Sequence, residues 1–191
     1  MANHNENILI GETVEKISAD GELCGVYEEC RFVSCDFSGA NFSGITFRDC
    51  VFETCDLSNA NFSGVALQDV VFKESRLLGI DFTVCRPILI EFSFERSILS
   101  YTRFSGMNLK NTRFTECVIV GADFTDAKLE RADFSKTKLE DSLFDGADLK
   151  KSDFREASGY KINPWVSQIR GAKFSYPEVL SMLEPFGIEI S

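Results

Sequence analysis

The sequence is poor in the side chains and motifs that enzymes and metal sites most often use. Its 191 residues include one histidine, His4, and no two cysteines have the CxxC spacing typical of a zinc or redox site. The chain also has no GxSxG nucleophile elbow, no GxGxxG and no phosphate-binding P-loop. We therefore expect no catalytic residue, no cofactor, no bound metal and no small-molecule substrate.

Long apolar runs and an excess of basic residues are also missing. No stretch approaches the ~18 apolar residues of a membrane-spanning helix, and the first residues lack the basic-then-apolar pattern of a secretory signal. The chain has 20 lysines and arginines against 30 aspartates and glutamates. Because an acidic chain is repelled by phosphate groups, we expect neither a nucleic acid nor a membrane as partner. Basic proteins are favoured as partners, and the cytoplasm as location.

What the sequence does have is a bulky apolar residue at every fifth position. The first series runs unbroken from Tyr27 to Phe82, and the second from Phe94 to Phe154. Two residues before each bulky residue lies a second candidate for the interior, usually Cys, Ala, Ser or Thr. Neither a helix nor a continuous strand keeps a period of five on one face. The chain must therefore turn a corner once per five residues, which predicts a solenoid.

A longer period of twenty indicates how many corners close one turn. Residues 30–49 match residues 50–69 at eleven positions. Twenty residues at five per side give four sides, so like residues stack at the spacing of about 4.8 Å between neighbouring strands. The expected core is a ladder of Phe and Leu beside a slimmer ladder of small residues, too narrow to hold a ligand.

The seven cysteines lie mostly at these small inward positions. This placement favours free thiols in a reducing cytoplasm over a disulfide framework. Two stacked pairs, Cys30 with Cys50 and Cys35 with Cys55, are close enough in the predicted register to leave a bridge as the alternative.

A five-residue motif, A(D/N)(L/F)xx, recurs along the chain. It stands at Ala40–Gly44, Ala60–Gly64, Ala122–Asp126, Ala132–Lys136 and Ala147–Lys151. This motif resembles the pentapeptide-repeat family. The resemblance implies an all-β fold, a right-handed quadrilateral β-helix, here with a short C-terminal helix.

The five-residue period slips once in the middle of the chain. Twelve residues instead of ten separate Phe82 from Phe94, and Pro87 falls where a bulky inward residue was due. Since proline removes a ladder donor, we expect a kink or bulge over residues 83–93. Phe92 then takes a place normally held by a small residue. The slip is either a tolerated insertion or a feature that shapes the rod for a partner.

These breaks divide one elongated domain into segments. A second irregular stretch spans residues 157–171, after which Phe174 resumes the period. We expect an N-terminal cap over residues 1–26, a repeat region over residues 27–174, and a C-terminal helix and tail over residues 175–191.

The tail has apolar residues at helical spacing. Residues 175–178 have the spacing of a capping box, Gly187 provides a stop, and residues 188–190 alternate as a short final strand would. An apolar face at the end of a rod suits a two-fold interface between copies. The predicted dimer-interface residues are Val179, Leu180, Met182, Leu183, Phe186 and Ile188. A monomeric cap over the last turn is the alternative.

The tail, from residue 163 to residue 190, also resembles the ends of the topoisomerase-protecting members of the family, the AlbG, McbG and Qnr group. That resemblance implies a tail-to-tail homodimer that imitates duplex DNA and binds DNA gyrase, and sometimes topoisomerase IV. It also implies protection of the enzyme from quinolone, albicidin or microcin poisons. The chain departs from the larger Qnr proteins because it has no long projecting loop.

Outward acidic residues concentrate in the C-terminal half and form the predicted partner-binding surface. They are Asp123, Asp126, Glu130, Asp133, Glu140, Asp141, Asp145, Asp148 and Asp153. With a net charge of −10 per chain, a dimer about 70 Å long has roughly half the charge density of duplex DNA. The alternative is a generic interaction scaffold with a non-topoisomerase partner. An acidic stripe favours the DNA mimic, and charges mixed evenly over four faces favour the scaffold.

Overall fold

The computed structural model describes residues 8–18, 23, 25–88 and 90–188. Short strands of two to four residues form a parallel β-solenoid of about eight turns. The strands are β1 Ile8–Ile10, β2 Thr13–Glu15, β3 Val26–Glu28, β4 Arg31–Val33, β5 Thr46–Arg48, β6 Val51–Glu53, β7 Ala66–Gln68, β8 Val70–Lys73, β9 Phe92–Glu95, β10 Phe114–Thr115, β11 Asp153–Phe154 and β12 Lys173–Phe174. Two 3₁₀ segments span Phe82–Val84 and Glu178–Phe186.

Each turn has four sides, which we number as faces 1 to 4. Face 1 holds β1, β3, β5 and β7 and continues below them through Asn108, Lys128, Asp148 and Gln168. Face 2 holds β2, β4, β6, β8, β9 and β10, then β11 and β12. Face 3 runs through Asp36, Asp56, Arg76, Ile98, Val118, Lys138 and Ser158. Face 4 runs through Asn41 and Asn61, then Asp81, Arg103, Asp123 and Leu143.

The predicted ladder of bulky residues fills the interior. Phe32 pairs in register with Phe52, and Phe52 with Phe72, which confirms the period of twenty. Rings of successive turns on one face stack, as Phe104 does on Phe124 with centroids 5.0 Å apart and planes 7° apart. Rings on adjoining faces meet edge to face. Burying each such ring contributes roughly 1.5–3 kcal/mol.

The slimmer ladder of small residues uses its polar atoms to bond the backbone. The Ser75 hydroxyl accepts a hydrogen bond from the Cys55 amide at 3.1 Å and donates one to the Lys73 carbonyl at 2.8 Å. The six described cysteines are all free thiols, as expected. Burial raises the pKa of Cys55 to about 12, so this thiol stays protonated at neutral pH. Cys24 lies outside the described residues.

The mid-rod slip is absorbed on face 1. Val70 pairs with Phe92 and Phe72 with Phe94, a separation of 22 instead of 20. Phe92 is buried at the small inward position, as expected. On face 1 the strands stop at β7, and residues 86–88, 90 and 91 form a bulge in place of the next strand.

At the N-terminal end, β1 and β2 lie within the segment expected to form a cap. They pair in parallel with β3 and β4 and so add one further rung to faces 1 and 2. Ile8 and Ile10 are exposed, and Leu9 is 37% exposed. This rung therefore presents both apolar side chains and a strand edge at the end of the described rod.

At the C-terminal end, the predicted helix forms as a 3₁₀-helix over Glu178–Phe186. The predicted capping box is wrong, because the helix begins after Pro177 with no side-chain cap. The Ser175 hydroxyl instead accepts a hydrogen bond from the Glu156 amide at 3.1 Å. Gly187 ends the helix at φ 65°, as predicted. The final strand expected over residues 188–190 includes residues outside those described.

The stacked interior predicts a large difference between two neighbouring substitutions. Phe62→Asp places a carboxylate inside the ladder, so the protein should lose at least about 3 kcal/mol of unfolding free energy, the cost of removing a core phenylalanine. Ser63→Asp, one residue away and exposed, should change it by less than about 0.5 kcal/mol. Urea denaturation followed by circular dichroism measures both. Equal stability of the two variants would contradict the four-sided assignment.

Candidate partner-binding surface

Several of the predicted acidic residues stabilise the turns of the solenoid, a role that requires no partner. Each of these carboxylates accepts a hydrogen bond from the amide two residues later, at distances of 2.9 to 3.3 Å. The residues are Asp123, Asp133, Asp148 and Asp153. Such a bond closes the local turn in place of a backbone acceptor. An Asp or Asn at this position is therefore explained by folding alone.

On face 2, acidic and basic side chains form ion pairs between successive turns. Arg96 lies 3.0 Å from Glu74, and Asp153 contacts both Arg155 and Lys173 at 2.6 Å and 3.8 Å. The hydrogen bond donated by the Arg155 side chain holds the pKa of the Asp153 carboxyl below its usual range. Paired charges at these distances cancel, so this face presents little net charge to a partner.

The C-terminal half of face 1 is basic. Lys110, Arg131 and Lys151 lie 3.4 to 3.9 Å from Glu130. The hydrogen bond from Lys110 and the two neighbouring cations keep the pKa of the Glu130 carboxyl low. Two acidic residues of this half face, Glu130 and Asp148, stand among six basic ones: Lys110, Lys128, Arg131, Lys150, Lys151 and Arg170. The sequence analysis did not predict this surface.

Five of the predicted acids lie on face 4 or at its edges with faces 3 and 1. We call this group the acidic patch; it consists of Asp123, Asp126, Glu140, Asp141 and Asp145. Asp141 and Asp145 flank Leu143 in one turn, and Asp123 pairs in the ladder with Leu143. Within the described part of the chain, no lysine or arginine forms a salt bridge with any member of the patch.

The position of Asp126 in the patch depends on a glycine. Its side chain lies directly over Gly146, which has φ 72° and carries no Cβ that would displace it. Any larger residue at position 146 would push the carboxylate aside. Gly146 therefore keeps Asp126 close to the next turn of the acidic patch.

Face 3 also carries an apolar strip that the sequence analysis missed. Its outward residues are Leu78, Ile98, Tyr101, Val118 and Val120. Tyr101 is 66% exposed, and its ring covers Gly121, with ring atoms 2.9 Å from where a Cβ would lie. The available signal was four aliphatic residues at positions where this repeat normally has polar ones.

The tail residues predicted to form a dimer interface separate into two groups. Met182 is buried in its own chain, and Val179 packs against the core. They therefore cover the last turn, while Leu180 and Leu183 are half-buried. Phe186 and Ile188 are exposed.

Trp165, which sequence reasoning did not place at the end of the rod, extends the exposed part of the tail. Its ring lies 5.5 Å from that of Phe186, and it is 73% exposed. Val166 beside it is also exposed. We call Trp165, Val166, Phe186 and Ile188 the tail patch. Exposed apolar side chains gathered in the tail are typical of a surface that a protein partner covers.

Among residues 8–18, 23, 25–88 and 90–188, no three His, Cys, Asp or Glu side chains converge to hold a metal ion. None of the described helices is long and apolar enough to span a bilayer. Four surfaces therefore stand out on the rod. They are the acidic patch, the basic half of face 1, the apolar strip and the tail patch.

Comparison with known proteins identifies the repeat. Residues 27–92 and 87–163 match the family model for the pentapeptide repeat region. Two trypsin-treated structures of QnrB1, a plasmid-mediated fluoroquinolone resistance protein, are 22% and 21% identical, each with a TM-score of 0.64. The alignments cover 96% of this chain and 97% or 98% of QnrB1. Full-length QnrB1 is 20% identical over 95% of this chain and 97% of its own, with a TM-score of 0.49. No curated protein sequence matches the chain.

The ion pairs of Asp153 predict a pH-dependent contribution to stability. Because the folded pKa lies below the ordinary value of 3.8, this contribution is present above pH 3.8 and is lost as the pH falls through the folded pKa. Asp153→Asn should therefore cost up to about 1 kcal/mol at pH 7, allowing for solvent screening, and less at pH 2.5. Urea midpoints at the two pH values measure the change. Thr125→Ser, which alters no charge, is the control, and a cost that is independent of pH would contradict the assignment.

Proposed function

The chain belongs to the pentapeptide-repeat family, and from this premise we propose that it is a non-enzymatic protein that binds DNA gyrase or topoisomerase IV in place of duplex DNA. Its role is to protect the enzyme from antibiotics of the quinolone, albicidin or microcin type. The fold shared with QnrB1, a fluoroquinolone resistance protein, supports this proposal. The cytoplasm, where these enzymes act on DNA, is the expected compartment.

The acidic patch is the observation that carries the proposal. Its carboxylates have no ion-pair partner among the described residues, so their charge is free to act on a partner. A DNA-binding channel is lined by lysines and arginines, whose counterions are released when phosphates bind. Free carboxylates on a rigid rod compete for the same cations. The rigid β-solenoid holds the patch in one shape, so little conformational entropy is lost on binding.

The imitation of DNA is one-sided. Face 4 and its edges present the acidic patch, whereas the C-terminal half of face 1 is basic and face 2 is nearly balanced by ion pairs. A basic channel attracts the first surface and repels the basic one. We therefore infer that the rod approaches the enzyme with face 4.

A tail-to-tail homodimer completes the proposal. The tail patch lies at the C-terminal end of the rod, and a two-fold contact would bring the same four side chains of each copy together. Two acidic patches would then lie on either side of the two-fold axis. The dimer is also the form in which one rod becomes long enough to cross a channel that holds duplex DNA.

The apolar strip of face 3 favours a second candidate function, a scaffold for a partner that is not a topoisomerase. DNA has no apolar surface of this kind on its backbone, so a DNA mimic does not need one. An uncharged strip on a flat sheet face suits contact with an apolar protein surface instead. The basic half of face 1 likewise fits an acidic partner.

The first prediction of this proposal concerns binding. The purified protein should bind DNA gyrase in competition with duplex DNA. Its affinity should fall steeply as the salt concentration rises from about 50 to about 200 mM. Changing Asp126, Asp141 and Asp145 together to Asn should weaken binding about tenfold or more. The matched control changes Glu130, Asp133 and Asp148 to Gln, Asn and Asn, and should weaken it much less.

A supercoiling assay with a quinolone, run beside the binding measurement, separates the two parts of the proposal. Binding with protection supports both. Binding without protection retains the DNA mimic and rejects the protective role. No binding at low salt, or equal loss in the two triple variants, rejects the mimic and favours the scaffold.

The second prediction concerns the tail patch. Replacing Trp165 by Ser and Phe186 by Glu removes the exposed rings, so a dimer should become a monomer in sedimentation velocity. Tyr101→Ser, which removes an equally exposed ring from face 3, is the control and should leave the dimer intact. A monomer in the unmodified protein would contradict the dimer without bearing on gyrase binding.

A further inference from the structure

The rod has an opening on face 1 where the mid-rod bulge replaces a strand. Two hydrogen bonds join the bulge to the turn before it. The Arg86 amide donates to the Val65 carbonyl at 2.8 Å, and the Glu91 amide donates to the Leu67 carbonyl at 2.9 Å. Faces 2 and 3 stay continuous at this level, for example through the bond from Ile98 to Ser75 at 2.9 Å. Only one of the four walls is interrupted.

The turn after the bulge has a bare strand edge. On the next rung of face 1, the Lys128 amide donates to Met107, the Lys128 carbonyl accepts from Leu109, and the Glu130 carbonyl accepts from Asn111, at 2.8 to 3.0 Å. The equivalent groups one rung earlier are the amide and carbonyl of Asn108 and the carbonyl of Lys110. Within the described ranges, no backbone group bonds to any of these three. They have the spacing of an unpaired sheet edge.

Next to this edge, the rod has space for side chains. Two cavities of about 490 and 410 Å³ lie on either side of Ile90 and both reach Asn108. The larger one is lined by the apolar groups of Phe82, Cys85 and Met107. Together with the bare edge they form what we call the face-1 slot. The slot lies between the bulge, which is hydrogen-bonded to the turn before it, and the edge at Asn108.

The rim of the slot is acidic on the side of the bulge. Asp69 and Glu91 line the smaller cavity, and neither forms a salt bridge with a described lysine or arginine. On the opposite rim, Lys110 shares Glu130 with two other cations, and the charged Arg113 side chain donates a hydrogen bond to the Ser93 hydroxyl at 3.4 Å. The two carboxylates on the side of the bulge therefore favour a basic side chain of the occupant at that rim only.

We propose that the face-1 slot binds an extended segment of a partner protein, which adds the missing strand to face 1. The backbone of the segment pairs with the amide and carbonyl of Asn108 and the carbonyl of Lys110. An apolar side chain enters the cavity at Met107, and a basic one contacts Glu91. An extended chain is the occupant because no other structure offers donors and acceptors at strand spacing. This site goes beyond the proposed function and does not depend on it.

Hydrogen exchange of single amides tests the proposal. In the free protein, the Asn108 amide should exchange at least about tenfold faster than the Lys128 amide, since only the second is bonded. The probe is a synthetic peptide with the sequence of residues 127–131, acetylated and amidated. Its five residues are, in order, small, basic, bulky, acidic and basic. At about 1 mM peptide, NMR should show slower exchange at Asn108, with no change at Lys128.

Variants distinguish the slot from an ordinary sheet edge. Glu91→Lys should weaken peptide binding about fivefold or more, and Asp49→Lys, the same charge change elsewhere on face 1, should not. Protection of the Asn108 amide in the free protein would overturn the proposal. So would peptide-induced shifts confined to β1, equal effects of the two variants, or no shift at Asn108 up to about 5 mM peptide.

Discussion

The whole rod depends on one constraint. Each side of five residues must end in a corner, so that the same positions of the next side again point into the core. A residue with left-handed backbone makes the corner, at glycines and also at charged residues such as Asp126, with φ 57°, and Arg131, with φ 59°. The cost of that backbone is offset by the stacked rings inside, each buried between the rings of the turns before and after it. Outward positions, apart from the aspartates and asparagines that bond the turns, have no part in this balance, so they are free to carry different surfaces on the four faces.

The sequence predicted the core well and the surface poorly, for a physical reason. Whether Phe62 points inward follows from a period of five, which is local and can be read along the chain. Whether a carboxylate is free depends on residues one turn away. Glu130 is surrounded by Lys110 and Lys151, and Asp153 by Lys173. Of the nine predicted acids, five therefore form the acidic patch, three are ion-paired, and Asp133 belongs to neither group. A register of twenty, corrected for the slip of two, is needed to see this.

Predictions from local sequence motifs were wrong where the same side chains contact the open end of the solenoid. Ser175 has the right spacing to cap a helix, but its hydroxyl bonds the Glu156 amide, which the last turn leaves open. Met182 has the spacing of an exposed helical residue, but it is buried over the last turn. In both places the open end of the solenoid, with its unpaired groups and apolar ladder, determined how the tail was used. A sequence pattern that ignores the end of the ladder cannot predict that.

The bulge on face 1 also affects how the molecule holds together along its length. A solenoid is close to a one-dimensional chain of units, in which each turn contacts only its neighbours. At the bulge, three of the four backbone ladders remain, so the coupling between the two halves is weakest there. The rod therefore has a natural boundary between cooperative units near residues 84–92, and each half can open or melt to some extent by itself. Force or heat applied to the ends would separate the molecule into these two blocks before it unravelled turn by turn.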